Sequence, residues 1–284
     1  MRNLFAFSTN AYTRFKLPAA LKRIRRAGFG AVEILADRPH AYAGELTARS
    51  IAAVVRTLER LKLGVSTVNA NTACGFFKDA PPEPFFEPSF ISPHPEWRGF
   101  RIDYTRKAID LAAATGGAAV TVTTGRCLGG VPPARAEDLL LLALEAVLLH
   151  AERAGGVKVA IEYEPGLYIE RADELMALID RVGHPLLGAN LDLGHALVAG
   201  DGVGGAVKLL GKRIWSVHVE DLQGFKHYHL PPGDGDFPFI EAKKALHSVG
   251  YRGPITWEIY TATADPDAAA RRALRFSKRE WPGL

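Results

Sequence analysis

Short apolar runs rich in β-branched residues alternate along the chain with longer stretches whose apolar positions recur at helical spacing. LFAFS (4–8), AVEIL (31–35), VSTVN (65–69), AVTVTT (119–124), VKVAIE (157–162), LLGANLD (186–192), IWSVHV (214–219) and PITWEI (254–259) read as strands. Helical patterns follow them over 18–27, about 45–62, about 97–115, about 136–154, 171–182, about 196–209, 238–248 and 267–277. Pro18 suits a first helical turn, Gly28 stands just past its helix, and Asp265 can cap the last one. Most strand runs are continuously apolar, as in strands covered on both faces. Alternation of strand and helix implies parallel pairing through right-handed crossovers. The 284 residues divide into eight units of about 35, and eight such units close a (β/α)8 barrel. The expected fold class is therefore α/β, a single (β/α)8 TIM barrel over residues 1–284. A doubly wound open sheet is the alternative. It usually carries a glycine-rich phosphate loop after its first strand, and STNAYTR has no glycine.

One segment breaks the period. Residues 69–97 form a long insertion after the third strand. It carries Phe76, Phe77, Phe85, Phe86, Phe90 and Trp97 among prolines at 81, 82, 84, 88, 93 and 95. So many aromatic rings do not float free, because they would expose apolar surface. The insertion leaves the C-terminal end of its strand, so a lid or pocket wall is expected, with a dimer contact as the alternative.

Composition adds little to this picture. With 48% hydrophobic and 23% charged residues, the chain reads as an ordinary globular protein. Two cysteines, Cys74 and Cys127, exclude a disulfide scaffold and fit a reducing compartment. No apolar stretch is long enough to span a bilayer and no signal peptide is evident, so the expected location is the cytoplasm, with no membrane partner. The net charge of +4 is small for this length and its basic residues are scattered, so no nucleic-acid partner is expected.

Chemistry gathers at the strand ends. Glu162, Asp192, His218 and Glu258 close the fifth, sixth, seventh and eighth strands, 30, 26 and 40 residues apart. In a barrel, such ends converge on one mouth. Three carboxylates beside an apolar core repel one another, and a divalent cation removes that repulsion. The oxygen-rich donor set suits one divalent ion, Mn²⁺ first, with Mg²⁺, Co²⁺ or Zn²⁺ as alternatives.

These residues sit in IEYEPG, NLDLGHALVAG, VHVEDLQGFKHYHLPPGDGDF and TWEIY. The segments resemble the xylose isomerase-like TIM-barrel superfamily, which includes sugar isomerases and epimerases and the endonuclease IV-type enzymes. The resemblance covers nearly the whole chain and is most specific over 157–260. It implies that Glu162, Asp192, His218 and Glu258 bind a catalytic metal, and that Glu162 and Glu258 also move protons. By the same resemblance, His195 reaches substrate oxygens or a second metal. In endonuclease IV-type members an Asp-x-His pair joins that histidine on an additional zinc. Here the pair is His227 and His229, which leaves substrate contact and a second metal both open, substrate contact by His229 being favoured. Glu164, Glu33 and Asn69 are further candidates for substrate contact, with Asn71 beside them.

The chemistry implied is metal-assisted proton abstraction next to a carbonyl, through an enediolate, by an isomerase or epimerase of a small ketose, cyclitol or related keto-sugar. The alternative is a lyase of the same fold, an inosose-type dehydratase or an enzyme that eliminates from a keto-glycoside. An apurinic-site endonuclease is disfavoured. It needs histidines near the third and fourth strand ends, which read VNANT and TTGRC. A barrel that has lost catalysis would lack a ligand, and none is missing. The loops after the last two strands offer no evident phosphate site, which favours an unphosphorylated substrate. The resemblance leaves homo-oligomerisation open.

Overall fold

The computed structural model describes residues 5–79 and 86–282. Leu4, Phe85 and Pro81, Pro82 and Pro84 of the insertion lie outside them. In chain order the elements are β1 (Phe5–Ser8), α1 (Leu17–Ala27), β2 (Ala31–Leu35), α2 (Ala48–Leu61), β3 (Gly64–Asn69), α3 (Pro95–Thr115), β4 (Ala119–Val122) and α4 (Pro133–Arg153). They continue with β5 (Lys158–Ile161), α5 (Ala172–Val182), β6 (Leu187–Asp192), α6 (Leu193–Val198), α7 (Val203–Leu210), β7 (Ile214–Val219), β8 (Asp221–Gln223), β9 (Lys226–Leu230), α8 (Phe239–Ser248), β10 (Ile255–Trp257) and α9 (Pro266–Glu280).

Eight strands close a barrel in the order β1-β10-β7-β6-β5-β4-β3-β2, all neighbours parallel. The expected (β/α)8 barrel is therefore present. Its strands are buried along nearly their whole length, which is why they read as unbroken apolar runs. The helices begin and end where local chemistry directs. Pro18 opens α1, and Gly28 closes it with φ +106°, a conformation that costs a residue with a Cβ. Thr47 and Ser50 form a reciprocal capping box on α2, and Asp265 caps α9 through the Ala268 N–H.

Three details differ from the sequence reading. The helix expected over 196–209 is two helices, α6 and α7, parted by a turn in which Gly200 and Gly202 take positive φ. A small antiparallel hairpin, β8–β9, sits between β7 and α8, where a loop was expected. Strand ends also come early. β5 stops at Ile161 and β10 at Trp257, so Glu162 and Glu258 each stand one residue past their strand, at the mouth.

The insertion mostly packs inward. Phe76 meets Phe77, Trp97 and Phe100 with ring centroids 4.7–5.7 Å apart, against the start of α3. Phe90 is buried. Among the described aromatic side chains of the insertion, Phe86 is the one that lines the cavity at the mouth.

Candidate metal centre and active site

The barrel register brings the four strand-end residues together. Asp192 on β6 stands directly opposite His218 on β7. Glu162 and Glu258 reach in from their two sides, with His218 Nδ1 lying 3.3 Å from Glu162 Oε2 and 3.4 Å from Glu258 Oε2. One donor atom from each of Glu162, Asp192, His218 and Glu258 lies within 4.8 Å of the others, and all four residues are buried.

Hydrogen bonds aim these donors. His218 Nε2 lies 2.7 Å from Glu33 Oε2, which fixes the ring and turns Nδ1 toward the cluster. A carboxylate behind a ligating imidazole orients it and raises its basicity. Glu258 Oε1 accepts from Asn10 at 2.9 Å and Asn69 at 3.0 Å, leaving Oε2 toward the centre. Glu162 Oε2 accepts from Asn71 at 2.9 Å and from Asn190. Asp192 Oδ1 accepts the His195 backbone N–H at 2.8 Å and so caps α6. Two buried atoms that face the cluster, Asp192 Oδ2 and His218 Nδ1, have no hydrogen-bond partner. A buried polar atom without a partner is costly. Two hard oxygen-rich sides and one orphaned imidazole nitrogen are what a divalent cation requires, so these four residues could hold one.

Electrostatics separate the carboxylates. Burial raises Glu162, but the His218 ring charge 3.3 Å away and the His195 charge outweigh it, and its pKa falls below the usual range. For Glu258 burial wins over the attraction of His218, and its carboxyl is pushed up to about 7. Burial lowers His218, yet Glu33, Glu258 and Glu162 together hold it well above its ordinary value.

A second cluster lies beside the first. His227 Nε2 sits 2.7 Å from His195 Nε2 and 2.5 Å from His229 Nε2. The far nitrogens of His195 and His229 lie 3.0 and 2.8 Å from the carbonyls of Tyr163 and Glu258, so both rings donate there. His229 holds φ +46°, an uncommon backbone state outside glycine, of the kind found where geometry serves a site. Among Glu162, His195, His227, His229, Glu164, Asn69 and Glu258, all seven line one cavity of about 550 Å³, within the usual range for small-molecule sites. Leu35, Asp37, Thr72, Cys74, Phe86 and Tyr260 complete much of its wall. Glu164 is largely buried there and raised to about 7 by desolvation, which His195 partly offsets.

Glu33 departs from expectation. Rather than meeting a substrate hydroxyl, it is fully buried below the cavity, bound to His218 and accepting from Thr67 at 2.6 Å. The register shift between β2 and β3 falls on its position.

Several residues escaped the sequence reading. Asn190 precedes Asp192 by two on β6, so strand alternation places both on one face, a signal open to inspection. Asn10 and Asp37 carried no such signal. Glu220 packs buried beside Asp192 and His229, and a Cβ on Gly194 would meet its Oε1 at 1.7 Å, which explains glycine in DLGH. Asp221 accepts the backbone N–H groups of Leu222, Gly233, Gly235 and Phe237 at 2.6–3.1 Å, pinning the PPGDGDF loop.

The family profile of xylose isomerase-like TIM barrels matches residues 21–280. The chain belongs to this family. Fructoselysine 3-epimerase of Shigella flexneri is 24% identical over 271 residues, covering 94% of each chain. Among solved structures, the D-allulose 3-epimerase of Methylomonas sp. in complex with D-allulose superposes with a TM-score of 0.78 at 19% identity, covering 99% of this chain and 98% of that one. The IOLI protein with a bound zinc atom superposes with a TM-score of 0.78 at 16% identity, covering 98% and 96%. These likenesses in structure concern the barrel. In this xylose isomerase-like barrel no helix among the described residues is long and apolar enough to cross a membrane.

Proposed function

We propose that the chain is a divalent-metal-dependent isomerase or epimerase of a small ketose, cyclitol or related keto-sugar. The observation that carries this reading is the pair Glu162 and Glu258, which flank His218 Nδ1 at 3.3 and 3.4 Å on the wall of the cavity at the barrel mouth. Glu162, Asp192, His218 and Glu258 would hold the ion, Mn²⁺ first and Mg²⁺, Co²⁺ or Zn²⁺ as alternatives. When bound, the ion supplies positive charge beside the substrate carbonyl and acidifies the neighbouring C–H. Glu162, held ionised, is suited to take that proton. Glu258, on the other side of His218 Nδ1 at 3.4 Å, is placed to return one. The epimerase activity named for the Shigella relative and the sugar named in the Methylomonas complex support this assignment, and the zinc of the IOLI protein supports a metal.

His195, His227, His229, Glu164 and Asn69 meet the substrate's oxygens in this reading. Arg38 is the one Lys or Arg side chain among the described residues lining the cavity. It pairs with Glu45 and lies over Tyr42 at 4.9 Å, so no free lysine or arginine awaits a phosphate. This favours an unphosphorylated substrate.

The decisive experiment loads the protein with Mn²⁺ and follows solvent-deuterium uptake by NMR across ketoses, keto-inositols and keto-glycosides. Deuterium at the carbon next to a carbonyl is the expected result, and loss of a hydroxyl from the same compound would make the enzyme a lyase. No uptake on any compound, together with cleavage of abasic DNA, overturns the proposal.

The imidazole trio favours a second reading for itself. With Nδ1 of His195 and His229 donating to carbonyls, a proton on His195 satisfies its contact to His227 but leaves His229 Nε2 facing the same nitrogen. A second cation satisfies all three lone pairs. Metal analysis after dialysis then gives two ions per chain, falling to one in His227→Ala. One ion per chain in both proteins excludes it.

A further inference from the structure

We infer that Arg101 is a positioning residue that sets the metal affinity of the four-donor centre through residues 69–71. The inference rests on reading Glu162, Asp192, His218 and Glu258 as that centre.

Arg101 lies on α3, remote in sequence from every candidate ligand, and is 1% exposed. Its Nη2 donates to the Ala70 carbonyl at 2.6 Å and the Asn71 carbonyl at 3.1 Å. Thr123 adds a hydroxyl bond to the same Asn71 carbonyl at 2.7 Å. The short segment so gripped carries two amides to the two proton-moving glutamates. Asn69 Nδ2 reaches Glu258 at 3.0 Å and Asn71 Nδ2 reaches Glu162 at 2.9 Å. Asn71 N–H also bonds Asn69 Oδ1 at 3.1 Å, so the two amides move as one unit.

Stability alone does not account for this arginine. Its Nε and Nη1 are buried without a partner, and its plane rests near Phe90 and Tyr104, 5.2 and 5.8 Å from the ring centroids. A buried charge so sparsely bonded is expensive, and an apolar residue of similar volume commonly serves a core better. What the guanidinium adds is one nitrogen, Nη2, fixed on a planar group, whose N–H bonds reach two consecutive carbonyls. A lysine ammonium on its flexible stem lacks that fixed plane. Freed from that grip, the strap lets both amides drift, and Glu162 and Glu258 keep only Asn190 and Asn10 to orient them toward the ion.

The test measures Mn²⁺ affinity of the full chain by electron paramagnetic resonance, with circular dichroism to verify folding. Arg101→Lys is expected to weaken Mn²⁺ binding by about 10- to 100-fold, the range for loss of groups that orient metal ligands. Asn71→Ala should do the same. Because both act on one strap, the double variant should bind no more weakly than the weaker single variant. Parental affinity in a folded Arg101→Lys protein, or fully additive losses, overturns the inference. Thr123→Val removes the other donor to the Asn71 carbonyl while keeping Arg101. If Arg101→Lys does not fold, weakened binding in Thr123→Val supports the strap and parental binding overturns it. Glu162→Ala serves as the separate control. Parental Mn²⁺ affinity there would remove the metal centre itself, whatever Arg101 does.

Discussion

Glu162→Ala is expected to lose its divalent ion on dialysis and to reduce carbon-bound proton exchange by at least about a thousandfold, within the range of a lost acid–base group. The substitution does more than delete one ligand. Asn71 and Asn190 lose the acceptor they share, and two buried amides are left to find new partners. His218 and His195 each lose a nearby negative charge that holds them protonated. The measurement pairs metal content per chain with the deuterium exchange rate on the best substrate. Retention of a tightly bound ion together with parental exchange would strip Glu162 of both roles. Loss of exchange with the ion retained would separate its proton transfer from its binding.

Acidification is the second large lever. In the ion-free chain Glu258 titrates at about 7 and His218 is held well above its ordinary value, so both carry protons at and below neutrality. Either group must shed its proton to meet a cation, so protons and metal compete. Mn²⁺ affinity should therefore rise with pH through 7, by about tenfold per pH unit for each proton displaced. The stability of the ion-free fold runs the other way for Glu258. Its folded pKa lies above the unfolded value, so that contribution is present below the unfolded pKa and is lost as pH climbs through about 7. The rise in Tm on adding Mn²⁺ should accordingly be larger at about pH 8 than at about pH 5.5, since the ion replaces the missing proton. Equal rises at both would sink the competition.

Much of this was legible in the chain's pattern, for reasons that can be named. Parallel strands covered on both faces leave unbroken apolar runs, and polar residues such as Glu162, Asp192, His218 and Glu258 that interrupt those runs at their ends stand out. The four donors could be found because they obey the βα period. Glu33 also ended a strand, but sequence could not show that its side chain reaches through the barrel interior to β7, so its bond to His218 was hidden. The hairpin β8–β9 was missed because its strands are short and HYH reads as loop. Yet its pleat is what turns His227 and His229 toward one side. Arg101 and Glu220 gave no signal at all. Each lies among residues of ordinary helical or strand character, and only tertiary packing assigns it a partner. In the insertion, Phe90 is buried while Phe76, Phe77, Phe86 and Trp97 are half-buried, and which rings reach the cavity depended on how the segment folds onto α3, which the aromatic count does not specify.

Asp192 gives one oxygen to the start of a helix and leaves the other to the cluster. Serine, threonine or asparagine would cap α6 as well, and glutamate would offer an ion as good a charge. Aspartate alone among them meets both demands at this reach. The identity of that residue is thus decided by helix geometry and ion chemistry jointly. One carboxylate links them, so filling the centre should stiffen the first turn of α6, and loosening that turn should cost the ion a donor.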